Sequence, residues 1–280
     1  MSQVGPGRVT QSRPALNRRE RLRQSTLEEI VAVGRSLLRE GREVTLRAVA
    51  TEMGFTAPAL YRYVGSVAAL NESLSNDIFA EIVREMAAAA EPYGEDDPAA
   101  QMVAAATAFR CWALDHIAEF QLVFQTHSLS GEHIARSESG QRVHPLAPTG
   151  GVGAAGGVRL FADFFGRIFI GLSQRRPFPV PAVEDLDEDF VALHSGQDGR
   201  PDLVRLLGED ALGLIWLFEL AWAQLYGIVT LEVFGHIRPQ LVRSGALFTA
   251  VMREIGQRAG MADDWDRLTE VSQEVLARRG

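Results

Sequence analysis

The feature that most constrains this fold is residues 45–64, TLRAVATEMGFTAPALYRYV, because they pattern as two short helices separated by a glycine. Thr45 can cap the first helix, and its apolar residues recur at i, i+3, i+4 and i+7. These are Leu46, Val49, Ala50 and Met53. Gly54 tolerates the left-handed backbone that stops a helix, and Thr56 can cap a second helix with Pro58 in its first turn. The stretch predicts a helix, a tight turn and a second helix.

The second of these helices has small residues at its start and hydrogen-bonding side chains at its end. The small residues are Ala57, Pro58 and Ala59, and the polar ones are Tyr61, Arg62 and Tyr63. Small side chains let a helix enter the major groove of DNA closely, while phenols and guanidinium groups reach phosphate. This is the docking geometry of a helix-turn-helix. An ordinary helical hairpin is the alternative, but an amphipathic helix predicted over 26–39 completes a three-helix headpiece.

Residues 26–74 resemble the tetracycline-repressor (TetR) family of bacterial transcription regulators. The family has an aromatic-rich end to its recognition helix, then a turn and a fourth helix whose N-terminus touches DNA; here these are Tyr61 to Val64, Gly65 and Ser66. The resemblance implies phosphate contacts from the threonines, base contacts from 57–59 and sugar-phosphate contacts from the tyrosines. The expected DNA-binding residues are Thr45, Arg47, Thr56, Ala57, Pro58, Ala59, Tyr61, Arg62 and Tyr63.

The chain departs from the family pattern in two ways. Members usually carry a lysine near the start of the fourth helix, where this chain has Val67. They commonly carry histidine and phenylalanine where this chain has Tyr63 and Val64. The first departure removes a cationic phosphate contact, whereas the second keeps a hydrogen-bonding aromatic.

Positive charge is confined to the amino end of an acidic chain. The whole chain has 28 Lys+Arg against 36 Asp+Glu, a net charge of −8, yet residues 1–63 hold 11 arginines against 6 glutamates. Six of these arginines precede the predicted first helix, at Arg8, Arg13, Arg18, Arg19, Arg21 and Arg23. Residues 1–24 are therefore expected to form a flexible basic arm, which is either a solvated tail or a segment that reaches the minor groove.

Composition indicates a bacterial cytoplasmic protein with no membrane span. The opening residues lack the apolar core of a secretory signal, and Cys111 is the single cysteine, which excludes an intrachain disulfide. The longest apolar stretch, 211–234, is interrupted by Glu219, Gln224 and Glu232.

The remaining pattern is helical, so the predicted fold class is all-α. The expected domains are the arm at 1–24, a helix-turn-helix domain at 25–65, a helical effector-binding and dimerisation domain at 66–262, and a polar tail at 263–280. Two segments are expected to be irregular: a glycine-rich linker at 137–157 and a proline-rich, acidic stretch at 175–201.

Two long apolar helices, 209–235 and 239–259, are expected near the end of the chain. In the TetR family the last two helices pair with a second copy, so the resemblance implies a homodimer that reads a palindromic double-stranded operator. The stretch around Trp222, Tyr226 and Gly227 loosely resembles a carboxy-terminal class named for a Trp-His-Gly signature, with tyrosine in place of histidine.

Aromatic residues at helical spacing fill the larger domain. They are more commonly core than ligand contacts, but their number makes an apolar pocket plausible. The candidate effector-pocket residues are Trp112, His116, Phe120, Phe124, Phe165, Phe169, Trp222 and Tyr226.

Catalysis has no residues to support it in this sequence. His127 and His133 lack metal-ligand spacing, there is no Gly-x-Ser-x-Gly elbow, and no cofactor motif is present. The sequence therefore predicts a non-enzymatic, ligand-responsive transcription regulator, most simply a repressor released by a small, largely apolar effector. The alternative is a helical ligand-binding or scaffolding protein that has lost DNA binding, which Val67 favours.

Overall fold

The computed structural model describes residues 17–129, 155–195 and 208–279, and within them the chain is helical with no strand. The all-α prediction is confirmed. Twelve α-helices occur in these ranges: α1 Arg18–Arg39, α2 Leu46–Glu52, α3 Ala57–Tyr61, α4 Val67–Ala90, α5 Pro98–Asp115, α6 Ile117–Leu129, α7 Ala155–Arg175, α8 Glu188–Ser195, α9 Ala211–Val233, α10 Pro239–Ser244, α11 Ala246–Arg258 and α12 Trp265–Ala277.

The chain divides into two compact units, Met1–Asn71 and Glu72–Gly280, which we call the headpiece and the body. The division falls six residues beyond the boundary expected at residue 65, within the first turns of α4. In the headpiece, α1, α2 and α3 pack around fully buried aliphatic side chains, among them Ile30, Val49 and Leu60. Val49 belongs to the apolar pattern predicted for α2 and Ile30 lies in the amphipathic helix predicted over 26–39, so this part of the headpiece core follows from the sequence.

Helix α5 lies at the centre of the body. Thirteen of its 18 residues are buried, because its alanine-rich surface allows α6, α7, α9 and α12 to pack around it. A buried ion pair ties α5 to α9: Arg110 Nε donates to Glu232 Oε2 over 2.6 Å, and a second guanidinium nitrogen donates to Oε1 over 3.0 Å. Arg110 also donates to the Val242 carbonyl in α10 and lies over the Phe248 ring, 5.1 Å from its centre.

The end of the chain differs from the sequence expectation. Where a polar tail was expected at 263–280, residues 265–277 form α12 and pack against α5. Trp265, Leu268, Val271 and Val275 are buried at the spacing of one helix face, between charged residues that give the segment its polar composition. The helix expected over 239–259 is also two helices, because the backbone at Gly245 is left-handed, with φ of 65°.

The start of the chain differs as well. Arg18, Arg19, Arg21 and Arg23 lie in the first turns of α1 rather than in a flexible arm. A capping box makes this possible, since the Asn17 side chain accepts from the Glu20 amide and the Glu20 carboxylate accepts from the Asn17 amide, each over 2.9 Å. The rest of the expected arm, with Arg8 and Arg13, lies outside the described residues.

The two segments expected to be irregular contain helical residues. The last three residues of 137–157 begin α7, and the remainder lies outside the described residues. Within 175–201, residues 188–195 form α8, and 196–201 again lie outside. Helix α8 packs on the first half of α9 through a small cluster of its own, in which the Phe190 and Trp216 rings meet edge-on at 5.0 Å around Leu186, Leu212 and Ile215.

Candidate nucleic-acid interface and internal cavity

The α2–turn–α3 unit has the predicted local structure. The Thr45 hydroxyl oxygen accepts from the Ala48 amide over 3.1 Å, which caps α2. Gly54 has φ of 68°, as a left-handed stop requires, and the Phe55 amide then returns to the Ala50 carbonyl over 2.8 Å. Thr56 differs from the expectation: it occupies the N-cap position of α3, but its side chain makes no capping hydrogen bond.

Among the expected DNA-binding positions of α3 lies Leu60, which is the one buried residue of that helix. Leu60 is fully buried and fixes α3 on the headpiece core. Of the expected DNA-binding residues, the exposed ones are Arg47, Thr56, Pro58, Tyr61 and Arg62, and the half-buried ones are Thr45, Ala57, Ala59 and Tyr63. Tyr61 leaves 51% of its surface exposed, so its phenol reaches outward and can donate to a phosphate oxygen. All nine residues therefore lie within one short, rigid unit.

The end of α3 is tied to α1. The Arg23 guanidinium lies over the Tyr63 ring, 5.7 Å from its centre, and donates to the Arg62 carbonyl over 3.4 Å. On its other side Tyr63 contacts Phe55, with ring centres 6.5 Å apart. These contacts limit the positions open to Tyr63, which is only half buried. The sequence placed Arg23 in the expected basic arm and not among the nine interface residues, because only the folded chain brings it to the end of α3 across 39 positions of sequence.

The start of α4 has no lysine at position 67, where the TetR pattern usually has one. The Ser66 hydroxyl oxygen accepts from the Ala69 amide over 3.1 Å, which caps the helix. Val67 follows with 42% of its surface exposed. This end of α4 can therefore offer backbone amides and a hydroxyl to a phosphate, but no cationic side chain at position 67.

An aromatic cluster occupies the middle of the body. Trp222 and Tyr226 stack with ring centres 5.5 Å apart, and Phe124 meets Tyr226 at 5.3 Å and Phe120 at 4.6 Å. Phe109, which was not predicted in the pocket, lies 6.1 Å from Trp222. Burial raises the pKa of the Tyr226 phenol, so this hydroxyl is a neutral hydrogen-bonding group at physiological pH.

A cavity of ≈ 40 Å³ lies between α5, α7, α9 and α11. Of the eight predicted pocket residues, Phe165, Phe169 and Trp222 line it. The other lining residues are Met102, Ala106, Leu172, Phe218, Ala221, Leu225, Met252, Ile255, Ala259 and Met261. Every one is apolar or aromatic, so the cavity matches an uncharged apolar group and offers nothing to balance a charge.

The remaining predicted pocket residues lie elsewhere in the body. Phe120, Phe124 and Tyr226 belong to the aromatic cluster and do not line the cavity. Trp112 is 1% exposed, donates from Nε1 to Glu81 over 3.1 Å and stacks on His116 at 4.9 Å. Selecting pocket candidates mainly by aromatic side chains also missed three methionines of the lining, Met102, Met252 and Met261. Flexible thioether side chains fill irregular space and have no recognisable spacing in sequence.

Two further features bear on function. Among residues 17–129, 155–195 and 208–279, no group of three or more His, Cys, Asp or Glu side chains is placed to hold a metal ion. Within the same ranges one helix, Ala211–Val233, is long and apolar enough to cross a membrane, a property that the core helices of soluble proteins share. Ten of its 23 residues are buried within one chain, eleven are half-buried, and Ala223 and Leu231 are exposed.

Comparison with known proteins is consistent with this geometry. A family model of the tetracyclin repressor-like C-terminal domain matches residues 102–255, which is more than half of the chain. The HTH-type transcriptional regulators Rv1816 of Mycobacterium tuberculosis and Mb1846 of Mycobacterium bovis are each 27% identical to it over 243 residues, 85% of this chain and 94% of theirs. The crystal structure of the regulatory protein SCO4313 shares the fold, with a TM-score of 0.55 and 22% identity over 85% of this chain and 98% of that one.

Proposed function

The chain belongs to the tetracycline-repressor-like (TetR) family of transcriptional regulators, and from that premise we propose that it is a homodimeric, ligand-responsive repressor. The observation that carries the proposal is the α2–turn–α3 unit, which exposes Pro58, Tyr61 and Arg62 while the buried Leu60 anchors α3. The partner is a double-stranded operator. The small residues face base edges, and the tyrosines and Arg62 contact the sugar-phosphate backbone.

A second copy of the chain is the proposed partner of α9 and of the helices that follow it. Leu231, Leu241 and Leu247 leave 38–44% of their surfaces exposed within one chain. A helix as apolar as α9 is expected to bury most of its circumference, and within one chain ten of its 23 residues are buried, eleven are half-buried and two are exposed. Two-fold pairing through this face would present two headpieces to a palindromic operator, with half-sites about 34 Å apart or a multiple of it.

The proposed effector site is the cavity between α5, α7, α9 and α11. Its apolar lining favours a small, uncharged, apolar effector, and its volume of ≈ 40 Å³ means that a larger ligand has to enlarge it. The three lining methionines make such repacking inexpensive, because thioether side chains change rotamer easily. Helix α4 belongs to both units and is the element through which a change in the body can reach the headpiece.

The effector acts by binding one conformation of the dimer better than the other. A difference of ~1–3 kcal/mol between the DNA-bound and released conformations changes operator affinity about 5- to 150-fold. The regulator is proposed to work in the bacterial cytoplasm without a cofactor and without catalysis. A helical ligand-binding protein that no longer binds DNA is the second candidate, and the exposed apolar Val67 at the start of α4 favours it.

A direct experiment titrates the purified protein against the DNA upstream of its own gene and against a scrambled duplex of equal length, at two salt concentrations. A regulator should bind the upstream duplex more tightly by ~10³-fold or more. Equal, weak, salt-sensitive binding to both duplexes would overturn the repressor assignment and favour the ligand-binding alternative.

A further inference from the structure

The basic amino-terminal end of α1 is a rigid helix that points a specific face toward the end of the recognition helix α3. The capping box of Asn17 and Glu20 fixes the first turn, so residues 18–23 are ordered before any DNA is present. A flexible arm loses conformational entropy when it binds, and a preformed helix avoids most of that cost.

Arg23 defines which face of α1 meets α3. Its guanidinium lies 5.7 Å from the centre of the Tyr63 ring and donates to the Arg62 carbonyl, and both of these residues belong to the candidate DNA surface. The planar guanidinium satisfies both contacts at once, whereas a lysine ammonium cannot stack in the same way. This face of α1 is therefore continuous with the phosphate-contacting side of α3.

Arg19 lies one helical turn before Arg23. At about 100° and 1.5 Å per residue, the two differ by about 40° around the helix and about 6 Å along it, so they share a face. Arg21 lies about 160° from Arg19 and points to the opposite side. Arg19 is exposed and extends the basic face that begins at Arg62 and Tyr63 by one turn.

We propose that Arg19 contacts a phosphate of the operator outside the segment read by α3, and that Arg23 is the residue that positions it. The proposal rests on the proposed DNA-binding function and deepens it. The ligand is the sugar-phosphate backbone of duplex DNA, because a guanidinium on a long side chain binds phosphate through paired hydrogen bonds without regard to sequence. A rigid helix beside α3 favours this contact over the minor-groove insertion expected of an extended arm.

Counterion release gives a quantitative test of the contact. Each phosphate neutralised by an arginine contributes about −0.9 to the slope of log K against log salt. Arg19→Gln should therefore make the slope shallower by about 0.9 per subunit, or about 1.8 for a bound dimer, on upstream and scrambled duplexes alike. Arg21→Gln is the matched control, since it removes the same charge two positions away on the opposite face and should change the slope by less than a third as much.

The positioning role of Arg23 is tested by combining substitutions. Arg23→Lys keeps the charge but removes the planar group that stacks on Tyr63 while donating to the Arg62 carbonyl. In the Arg23→Lys protein, the effect of Arg19→Gln on the slope should therefore fall to that of the Arg21→Gln control. A purely structural role for Arg23 would lower protein stability without changing the effect of Arg19→Gln. Thermal unfolding of each variant in the absence of DNA separates these results.

The outcomes distinguish this proposal from the function on which it rests. Selective binding by the wild-type protein with equal slopes for the Arg19→Gln and Arg21→Gln variants would overturn the phosphate contact and leave the regulator intact. An Arg19 effect that persists unchanged with Arg23→Lys would overturn the positioning role. Failure of the wild-type protein to prefer its upstream duplex would overturn the proposed function and this inference together.

Discussion

The headpiece and the body differ in how their working residues are distributed along the sequence. The nine candidate DNA-binding residues of the headpiece lie within 19 consecutive positions, whereas the cavity of the body is lined from Met102 to Met261. The candidate DNA-binding residues of the headpiece belong to one local unit of two helices and a turn. The body is held together by long-range contacts such as the Arg110–Glu232 pair, whose partners are 122 positions apart. A candidate site formed by residues close together in sequence can be predicted from that sequence. A site formed by tertiary packing is much harder to predict.

Breaking the Arg110–Glu232 ion pair should lower the stability of the body at least as much as any other substitution considered. Glu232→Ala leaves the Arg110 guanidinium buried without its carboxylate and should lower the free energy of unfolding of the body by ~3–5 kcal/mol. Urea unfolding measures the change. Glu85→Ala is the control, because its ion pair with Arg279 is partly exposed and should cost less than ~1 kcal/mol. A loss as small for Glu232→Ala as for the control would show that the pair does not hold the body together.

Two substitutions on α5 sharpen the distinction between core and cavity. Trp112→Ala should destabilise the body by ~3–5 kcal/mol without changing the affinity for an apolar fluorescent probe such as N-phenyl-1-naphthylamine, because Trp112 is buried away from the cavity lining. Ala106→Leu should weaken binding of the same probe about tenfold or more, because the added carbons occupy the cavity. Equilibrium fluorescence titration of the folded variants provides both affinities. Equal probe affinities in wild-type and Ala106→Leu proteins would show that the cavity is not the binding site.

In the headpiece, substitution of an exposed tyrosine should weaken DNA binding without lowering stability. Tyr61→Phe removes one exposed phenol that is proposed to contact phosphate, so operator affinity should fall by ~1 kcal/mol, about fivefold, on every sequence. The free energy of unfolding should stay within ~0.5 kcal/mol, since the hydroxyl is exposed. Ala59→Ser should instead alter the preferred base sequence. If Tyr61→Phe and Tyr63→Phe both left DNA affinity unchanged, the recognition helix would be misplaced.

The smallest expected effect concerns pH and the contact between α8 and α9. The hydrogen bond to Glu219, over 3.1 Å, raises the pKa of His194, and partial burial opposes this shift. Because the pKa is higher in the folded protein, the pair stabilises the fold fully below pH 6.5, and this contribution is lost as pH rises through the folded pKa. The difference in free energy of unfolding between wild-type and His194→Gln proteins should be under ~1 kcal/mol at pH 5.5 and smaller at pH 8.5. Glu219→Gln should abolish this pH dependence.

Most features set by residues close together in sequence were predictable, whereas features set by tertiary packing were predictable only in part. Helix spacing, the Thr45 cap and Gly54 predicted α2, the turn and α3, because each depends on neighbours within a few residues, whereas the cap expected from Thr56 does not form. The expectation of a flexible arm over residues 17–24 and of a polar tail was mistaken, because charged composition concealed a capping box at Asn17 and a buried stripe in α12. The cavity was identified only in part, since its methionines and alanines carry no pattern in sequence and meet only through packing.

Selection from a random pool of duplexes determines whether two copies of the headpiece together read a DNA sequence. Wild-type protein should enrich a palindrome whose half-sites are separated by about one helical turn or a multiple of it, about 34 Å between centres. The Ala59→Ser variant should enrich a palindrome of the same spacing with altered bases. Recovery of unenriched DNA, or of single half-sites without symmetry, would contradict the account.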